Sequence, residues 1–225
     1  MTLGTTMNAS VHGQRCLIIV FTAMSLLLAK VSVASELEDG IAQIQREWAD
    51  IRYKRAPAER ERLYEALAAK AHRLSEAQRE RSEPLIWEGI VVSSLAGEKG
   101  GLGALGLAKQ AKALYEDAIR IDGNALDGSA FNSLAVLYYK VPSWPIGFGD
   151  KTKARELLDK AIGINPAGID PNYFYAEYLI ETGRRAEAVP YLERALAAPP
   201  RPGRQVADEG RRAEARQLLD RARSN

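Results

Sequence analysis

The sequence predicts an all-α protein built from short helices in pairs. Apolar residues recur at a spacing of three and four positions, for example in residues 41–51 and 63–74, and this is the pattern of amphipathic helices. Runs that alternate apolar and polar residues, as half-buried strands do, are absent from the sequence. Segments rich in glycine and proline interrupt the helical pattern at intervals. Paired helices with this punctuation indicate a helical repeat protein.

The N-terminal segment, residues 1–34, has the pattern of a cleaved signal peptide. Arg15 precedes an apolar run over residues 16–29, and Ser32 and Ala34 provide the small residues of a signal-peptidase site. The alternative is a membrane anchor, which is disfavoured because about 14 apolar residues are too few to span a bilayer as a helix. We therefore expect a mature chain that begins at Ser35 and is exported, to the periplasm.

The composition of the mature chain argues against several function classes. Without residues 1–34 it has equal numbers of acidic and basic residues and no cysteine. Its charged runs mix both signs, so we expect no nucleic-acid partner. The one remaining histidine, His72, lies on a charged helix face, where we expect it to be solvated. These features predict no disulfide, no His/Cys metal site, no cofactor and no catalytic residues.

Two helices are predicted at the start of the mature chain, over residues 36–53 and 58–80. A break separates them at Arg55–Pro57, because proline does not fit the interior of a helix. Similar punctuation predicts the later helix boundaries, which fall at Ser82–Pro84, Gly97–Gly106, Gly123–Gly128, Val141–Asp150, Asn165–Pro171 and Pro199–Gly203.

An internal repeat follows in the second half of the chain. Segment Ala154–Pro166 aligns with segment Ala188–Pro200. The shared positions are Ala154, Leu158, Ala161 and Pro166 in the first copy, and Ala188, Leu192, Ala195 and Pro200 in the second. The offset between the copies equals the period of the tetratricopeptide repeat, and the pattern resembles the second helix of that repeat. A degenerate earlier copy has Ala111, Tyr115 and Ala118, with Gly123 in place of the proline.

The first helices of these repeats also resemble the family pattern of a bulky, an apolar, a small and an aromatic residue. One copy has Phe131, Leu134, Ala135 and Tyr138, and the other has Ala176 and Leu179, with Asn172 in place of the bulky residue and Gly183 at the turn. The resemblance implies a single domain over residues 35–225, folded as a stack of helical hairpins, an α-solenoid. Its clearest repeats span 128–166 and 169–200, and a degenerate repeat spans 82–123.

The final helix, from about residue 206 to residue 223, is charged on one face, as a helix that caps a repeat stack should be. Two enlarged loops are also expected within repeats. From Ala135 to Ala154 there are 19 positions, against 12 from Ala176 to Ala188, and the excess lies within residues 140–153. A second excess lies within residues 96–106. The resemblance places both loops at the same edge of neighbouring repeats, close to each other.

Two short patterns are similar to ligand-binding motifs but lack the required context. Residues 101–106 match G-x-G-x-x-G, yet a dinucleotide fingerprint needs a preceding strand, and helix is predicted there. Residues 122–128 are similar to a calcium loop, but Leu126 occupies a ligand position and Ser133 stands where the loop needs glutamate. We expect a flexible connector at the first segment and a turn between helices at the second.

The candidate binding residues come from the family resemblance. First helices of tetratricopeptide repeats line a concave face, and the corresponding positions here are Trp87, Asn132, Tyr139, Tyr173 and Glu177. Aromatic residues with a polar tip provide contact area, and amide or carboxylate groups fix orientation. The alternative is that some of these side chains pack within the repeats, since aromatic residues at helical spacing commonly form core.

Trp144 and Phe148 lie in the enlarged loop. We expect the loop to fold back on the repeats as a plug, because loops that expose Trp and Phe are uncommon. A buried plug predicts that Trp144→Ala lowers the free energy of unfolding by about 3 kcal/mol. The alternative is that both side chains contact a partner.

The function that these features predict is non-catalytic: an exported protein that binds a protein or peptide through its concave face. An alternative comes from three segments, EPLIWEGIV, GGLGALGLAK and VPSWPIGFGDKTKARELL. They resemble exported tetratricopeptide proteins related to the T-component of TRAP-type transporters. That resemblance implies a subunit that binds a small molecule in an enclosed apolar pocket near Trp87, Tyr139 and Tyr173. An enzyme is a third hypothesis, for which the sequence offers no converging pair of carboxylates.

Overall fold

The computed structural model describes residues 36–224. The chain divides into a unit of residues 1–40, of which only the helical residues 36–40 are described, and a unit of residues 41–225. The predicted signal peptide, residues 1–34, lies outside the described residues. Nine helices are described: α1 (residues 36–54), α2 (Pro57–Ala77), α3 (Ser82–Lys99), α4 (Gly101–Asp122), α5 (Ala125–Lys140), α6 (Lys151–Ile164), α7 (Ile169–Glu181), α8 (Arg185–Ala197) and α9 (Gln205–Arg223).

The helices of the second unit form a repeat stack. Helix α3 packs on α4, α5 on α6, and α7 on α8, so that each pair forms a hairpin. The first helices of the three hairpins also contact one another in sequence, α3 with α5 and α5 with α7. Helix α9 closes the stack on α8 and α7. The predicted all-α solenoid is confirmed, and no strand occurs between residues 36 and 224.

Small residues allow the helices of a hairpin to approach closely. The alanines of the repeat pattern are almost completely buried, at 0 or 1 % exposure, namely Ala111, Ala118, Ala135, Ala154, Ala161, Ala176, Ala188 and Ala195. Leu158 and Leu192, at the bulky positions between them, are at 0 % exposure. A side chain longer than a methyl group at the alanine positions would push the helix axes apart. The repeat pattern of the sequence therefore corresponds to the core contacts of the fold.

The turn predicted at residues 123–128 connects α4 to the continuous part of α5. Leu126, Asp127 and Gly128 have positive φ angles of 48°, 56° and 75°. A Cβ atom on Gly128 would lie 2.9 Å from Ile164 Cδ1, so both conformation and space favour glycine there. The left-handed turn reverses the chain between the two hairpins.

The prediction of an enlarged loop at residues 96–106 is wrong. Helix α3 continues to Lys99 and α4 starts at Gly101, so only Gly100, with φ 62°, lies between them. The additional residues lengthen both helices instead of forming a loop. Gly103 and Gly106 are exposed helical positions, where each glycine costs about 1 kcal/mol relative to alanine. The alanines, leucines and lysines around them favour helix strongly enough to offset this. The G-x-G-x-x-G pattern is therefore part of α4.

The second enlarged loop, residues 141–150, is present and is closed by backbone hydrogen bonds. Gly149 N–H donates to the Pro142 carbonyl at 2.9 Å, and Asp150 N–H donates to the Tyr138 carbonyl at 2.8 Å. The Asp150 carboxylate then accepts from the backbone of Thr152 and Lys153, capping α6. The loop lies beside the start of α4, because a Cβ atom on Gly147 would be 3.5 Å from Leu105 Cδ1.

The plug interpretation of this loop is wrong for Trp144. Its side chain is 86 % exposed, and Ile146 beside it is 69 % exposed. Only Phe148 folds back, where it makes an edge-to-face contact with Tyr138 at a centroid distance of 5.7 Å. The backbone hydrogen bonds close the base of the loop, and the residues at its tip project into solvent.

We therefore expect Trp144→Ala to change the free energy of unfolding by less than about 0.5 kcal/mol, since surface substitutions away from packed features have small effects. Urea denaturation followed by circular dichroism measures this value. Phe148→Ala is the matched control in the same loop and should destabilise by about 2 kcal/mol, because it removes a packed aromatic ring. A large loss of stability in Trp144→Ala would mean that the indole is buried in solution.

Candidate functional site

A cavity of about 670 Å³ lies among the helices of the second unit. Its wall is formed by residues of α1 to α5, the loop at 141–150, α7 and the segment that starts α9. The wall includes aromatic side chains, among them Trp48, Tyr64, Trp87, Tyr115, Tyr173 and Phe174, and charged side chains from both ends of the chain's second unit. The volume is in the range of small-molecule binding sites.

Four of the five predicted groove residues line this cavity: Trp87, Asn132, Tyr173 and Glu177. They come from α3, α5 and α7, the first helices of consecutive hairpins. The fifth, Tyr139, does not line the cavity, but its hydroxyl donates a hydrogen bond to the Glu177 carboxylate at 2.6 Å. Burial and the neighbouring Glu177 raise the pKa of Tyr139 well above its ordinary value. The role of these residues in binding stays a prediction.

A network of ion pairs forms one end of the cavity wall. Asp170, near the start of α7, accepts from Arg201 Nη1 at 2.6 Å and from Arg211 Nε at 2.9 Å. Burial alone would raise the pKa of Asp170, but the charges of Arg211 and Arg201 lower it below its ordinary value. The carboxylate is therefore ionised in the folded protein.

The network extends from Asp170 to α1 and α9. Arg201 also donates to the buried Asp208, from Nε and from its backbone N–H, both at 2.8 Å. Arg211 pairs with Glu214 at 2.6 Å, and Glu214 accepts from Arg52 of α1 at 2.8 Å. The guanidinium of Arg211 also lies 4.5 Å from the ring centroids of Tyr173 and Phe174. Three arginines and three carboxylates thus connect α1, α7 and α9, and a fourth arginine, Arg204, lies beside them; the paired residues are Arg52, Arg201, Arg211, Asp170, Asp208 and Glu214.

Arg204 differs from the other three arginines of the network. Its Cζ lies 5.1 Å from the ring centroid of Trp87, yet its Nε is buried without a hydrogen-bond partner. Within residues 36–224 it has no carboxylate at ion-pair distance. Burial, and then the charge of Arg201, lower its pKa from the ordinary value. Arg204 is therefore a half-buried cation on the cavity wall, and its charge interacts with Asp170 and Asp208 without a direct ion pair to either.

Unpartnered polar atoms concentrate at this cavity. Among the described residues, three buried side-chain atoms have no hydrogen-bond partner, namely Trp87 Nε1, Asn132 Oδ1 and Arg204 Nε, and all three residues line the cavity. The Tyr64 hydroxyl, also on the wall, lies close to Ser94. Trp87 and Asn132 are only 3 % and 5 % exposed. Buried polar groups in native proteins are normally hydrogen-bonded, so exceptions need an explanation. They come from separate segments of the chain and converge on one cavity.

The contribution of α1, α2 and α9 to this site was not predicted from the sequence. The charged residues of α9 were expected on a solvated cap, but Asp208 and Arg211 are buried at 2 % and 8 % exposure. The sequence does contain one signal of the contribution of α9, which is the concentration of arginine around the Pro/Gly break at residues 199–203. Four arginines and only two acidic residues occur between positions 201 and 212, an excess that a solvated cap does not require.

His72 was expected to be solvated, and its side chain is 58 % exposed. Its Nδ1 nevertheless lies 2.9 Å from Glu88 Oε1, and Glu88, at 2 % exposure, also accepts from the Ser75 hydroxyl. Neither His72 nor Glu88 lines the cavity. Because the buried carboxylate accepts from both neighbours, the cluster ties α2 to α3, and we assign it a structural role.

Comparison with known proteins supports a tetratricopeptide repeat protein. Residues 146–208 match the family model described as tetratricopeptide repeat. Among solved structures, the chain is similar to a thermophilic tetratricopeptide repeat protein of Thermus thermophilus, with a TM-score of 0.53 and 15 % sequence identity. The alignment covers 85 % of this chain and 96 % of that protein. No curated protein matches the chain significantly. This likeness concerns the fold alone.

The described residues also contain no helix that is long and apolar enough to cross a membrane.

Proposed function

We propose that this protein is an exported, non-catalytic binding protein that holds a small molecule in the cavity between its first helices. The observation that carries the proposal is the set of three unpartnered polar atoms, Trp87 Nε1, Asn132 Oδ1 and Arg204 Nε, in residues on the wall of a 670 Å³ cavity. A surface used only for protein contact has no need of buried, unpartnered groups around a cavity, because such groups cost free energy when they stay unpartnered. The geometry thus favours the small-molecule alternative over an extended peptide groove.

A protein partner is a second proposed function, and a different feature supports it. Trp144 and Ile146 at the tip of the loop at 141–150 are strongly exposed and lie two positions apart in the sequence. Large exposed apolar side chains at one point commonly mark contact sites. The loop and the cavity share Val141, Pro142 and Ile146 as wall residues. A partner that contacts the loop would therefore lie next to the ligand, as expected of a binding subunit associated with a transporter.

Native mass spectrometry tests both functions on protein purified under non-denaturing conditions from its own cells. We expect a chain that begins at residue 35, consistent with export, together with a small bound mass. A full-length chain would contradict cleavage of the signal peptide. A co-purifying protein that is absent from Trp144→Ala preparations would support the partner function. A bare chain that carries no small mass would contradict the small-molecule proposal.

A larger side chain that fills the cavity should remove the bound small mass from the native mass spectrum. Ala104 is half-buried on the wall, whereas Ala113 is exposed on the same helix and away from the cavity. We expect Ala104→Trp to reduce bound ligand by at least about tenfold, because the indole occupies the space that the ligand requires. Ala113→Trp is the matched control and should retain the ligand. Equal retention in both variants would place the ligand outside this cavity.

A further inference from the structure

The tip of the loop at 141–150, residues 142–146, presents only uncharged residues to solvent. Its sequence is Pro-Ser-Trp-Pro-Ile, and all five residues are exposed. Trp144 and Ile146 are the most exposed large apolar side chains of the described residues, at 86 % and 69 %. The next is Ile121, at 41 %, which lies at the other end of α4 from the loop. Two such side chains on one short tip indicate contact with a surface outside the protein.

The backbone of this tip pairs several of its own polar groups. Its two prolines have no N–H group. The Ser143 carbonyl accepts from the N–H groups of Ile146 and Gly147, each at 3.2 Å, and the Pro142 carbonyl accepts from Gly149 N–H at 2.9 Å. A backbone with paired polar groups loses fewer hydrogen bonds when it leaves bulk water. The tip is therefore suited to an environment of low dielectric constant.

Lysine side chains lie at the base of the same loop. Lys140 ends α5 and Lys151 starts α6, so they flank the loop on both sides. The Nζ atom of Lys153 lies 4.8 Å from the centroid of the Tyr138 ring, which is the ring that Phe148 of the loop contacts. The loop thus combines an apolar tip with a basic border.

Helix α4 adds to this border. A Cβ atom on Gly147 would lie 3.5 Å from Leu105 Cδ1, and Lys112 Nζ lies 5.9 Å from the centroid of the Phe148 ring. Lys109 lies between Leu105 and Lys112 at the spacing of residues that share one helix face. The face of α4 that carries Lys109 is therefore turned toward the loop.

The carboxylates near the loop are already engaged. Glu177 and Glu181 pair with the terminal lysine of α5, and Glu116 pairs with Lys112 at 2.8 Å. The carboxylate of Asp150 caps α6. Within the part of the chain that the structure describes, three lysines of the border have no carboxylate at ion-pair distance, namely Lys109, Lys151 and Lys153. These ammonium groups are exposed to solvent and accessible to anions of another surface.

The combination of residues favours a lipid bilayer over a protein surface. Lysine is depleted in protein–protein interfaces. Tryptophan, in contrast, is enriched where proteins meet the headgroup region of a membrane, because its ring is apolar and its N–H group is polar. Lysine stems can lie along apolar surface while their ammonium groups reach lipid phosphates.

We propose that residues 142–146 insert into the headgroup region of a bilayer that contains anionic lipids. Trp144 and Ile146 supply the apolar contacts, and Lys109, Lys151 and Lys153 contact the lipid phosphates. The association is peripheral and reversible, as for other short apolar segments with basic borders. It goes beyond the proposed small-molecule function and does not depend on it. The protein partner proposed for the same loop is the competing outcome of the test.

Vesicle binding by the mature chain, residues 35–225, tests this inference. The probes are vesicles of phosphatidylcholine alone and of phosphatidylcholine with about 30 mol % phosphatidylglycerol, an anionic lipid. Trp144 is the reporter, since the other tryptophans, Trp48 and Trp87, are buried at 9 % and 3 % exposure. We expect its emission to shift to shorter wavelength. Anionic vesicles should bind at least about fivefold more tightly, which is the usual contribution of one basic residue near such a surface.

Matched substitutions separate the loop from the rest of the protein. Trp144→Ala should reduce vesicle binding at least about tenfold and remove the emission shift. Ile146→Ala should reduce it at least about fivefold, whereas Ile121→Ala, the same change at a distant exposed isoleucine, should not. Lys151→Gln should weaken binding to anionic vesicles by about fivefold. Lys160→Gln, at an exposed lysine nearer the other end of α6, should leave it unchanged.

The remaining outcomes overturn the inference in distinct ways. If the wild type binds neither type of vesicle, or if Trp144→Ala binds as the wild type does, the tip does not insert into lipid. Equal binding to both types of vesicle would remove the role of the lysines. Loss of a co-purifying protein in Trp144→Ala without any vesicle binding would assign the loop to a protein partner instead. Thermal unfolding verifies that each variant is folded. The Ala104→Trp experiment measures the small-molecule function separately, so either proposal can fail alone.

Discussion

Replacing Asp170 with asparagine is expected to lower the free energy of unfolding by about 3 kcal/mol. The asparagine keeps the shape of the side chain, but it removes the negative charge between Arg201 and Arg211. The Arg211 side chain is only 10 % exposed, so its charge is poorly screened by solvent. Removing one partner of a buried ion pair costs about 3–5 kcal/mol, and the lower end of this range is expected here because Arg201 still pairs with Asp208 and Arg211 with Glu214. Urea denaturation at pH 7 measures this difference.

The matched control for this change is Glu193→Gln, which removes a carboxylate from an exposed pair. Glu193 and Arg223 are 53 % and 55 % exposed, and such surface pairs contribute about 0–1 kcal/mol. The two substitutions differ mainly in burial. If Asp170→Asn were no more destabilising than Glu193→Gln, the network would not be formed in solution.

The loss of stability caused by Asp170→Asn should become smaller as the pH falls. The folded protein lowers the pKa of Asp170 below its ordinary value of 3.8. The stabilisation is therefore complete above the ordinary pKa and declines as pH falls below it, because the unfolded chain then takes up a proton that the folded chain does not. The difference in stability between wild type and Asp170→Asn should be constant from pH 7 to about pH 5. It should become smaller below about pH 4.

The repeat core could be predicted from the sequence, because its contacts follow a fixed local spacing. Ala154, Leu158 and Ala161 recur as Ala188, Leu192 and Ala195 with the same burial. The error at residues 96–106 has a local cause as well. Glycines were interpreted as a loop, although exposed glycines within a long helix cost only about 1 kcal/mol each and the surrounding residues favour helix.

The candidate site was only partly predictable, and the reason is sequence distance. Trp87 and Asn132 occupy repeat positions that point inward, so the family pattern identifies them. Arg204 becomes distinctive only when Asp170 and Asp208, which lie on different helices, are both seen to be held by Arg201. A single sequence shows the residues of such a network but not their pairing. Exposure of Trp144 likewise depends on the backbone hydrogen bonds that close its loop.

The second large expected effect concerns the packing of Tyr115, on the cavity wall, against α3. Gly89→Ala should lower the free energy of unfolding by about 2–3 kcal/mol. A Cβ atom at Gly89 of α3 would lie 2.5 Å from Tyr115 Cε1 and 2.9 Å from its Cδ1. The Tyr115 ring is at 0 % exposure, and its hydroxyl lies 3.1 Å from Ser93 Oγ, so a shift of the ring away from α3 would disrupt this contact. Such overpacking costs about 1–3 kcal/mol, and more where neighbours are fixed.

Gly106→Ala is the control for this substitution and should have the opposite sign. Gly106 is an exposed position of α4, and a Cβ atom there would meet nothing within 4 Å. Alanine should therefore stabilise α4 by about 0.5–1 kcal/mol through its better helix propensity. Urea denaturation of both variants separates packing from propensity, since the amino-acid change is identical and only the surroundings differ. If Gly89→Ala were also stabilising, Tyr115 could not be packed against α3, and the aromatic wall of the cavity would need a different arrangement.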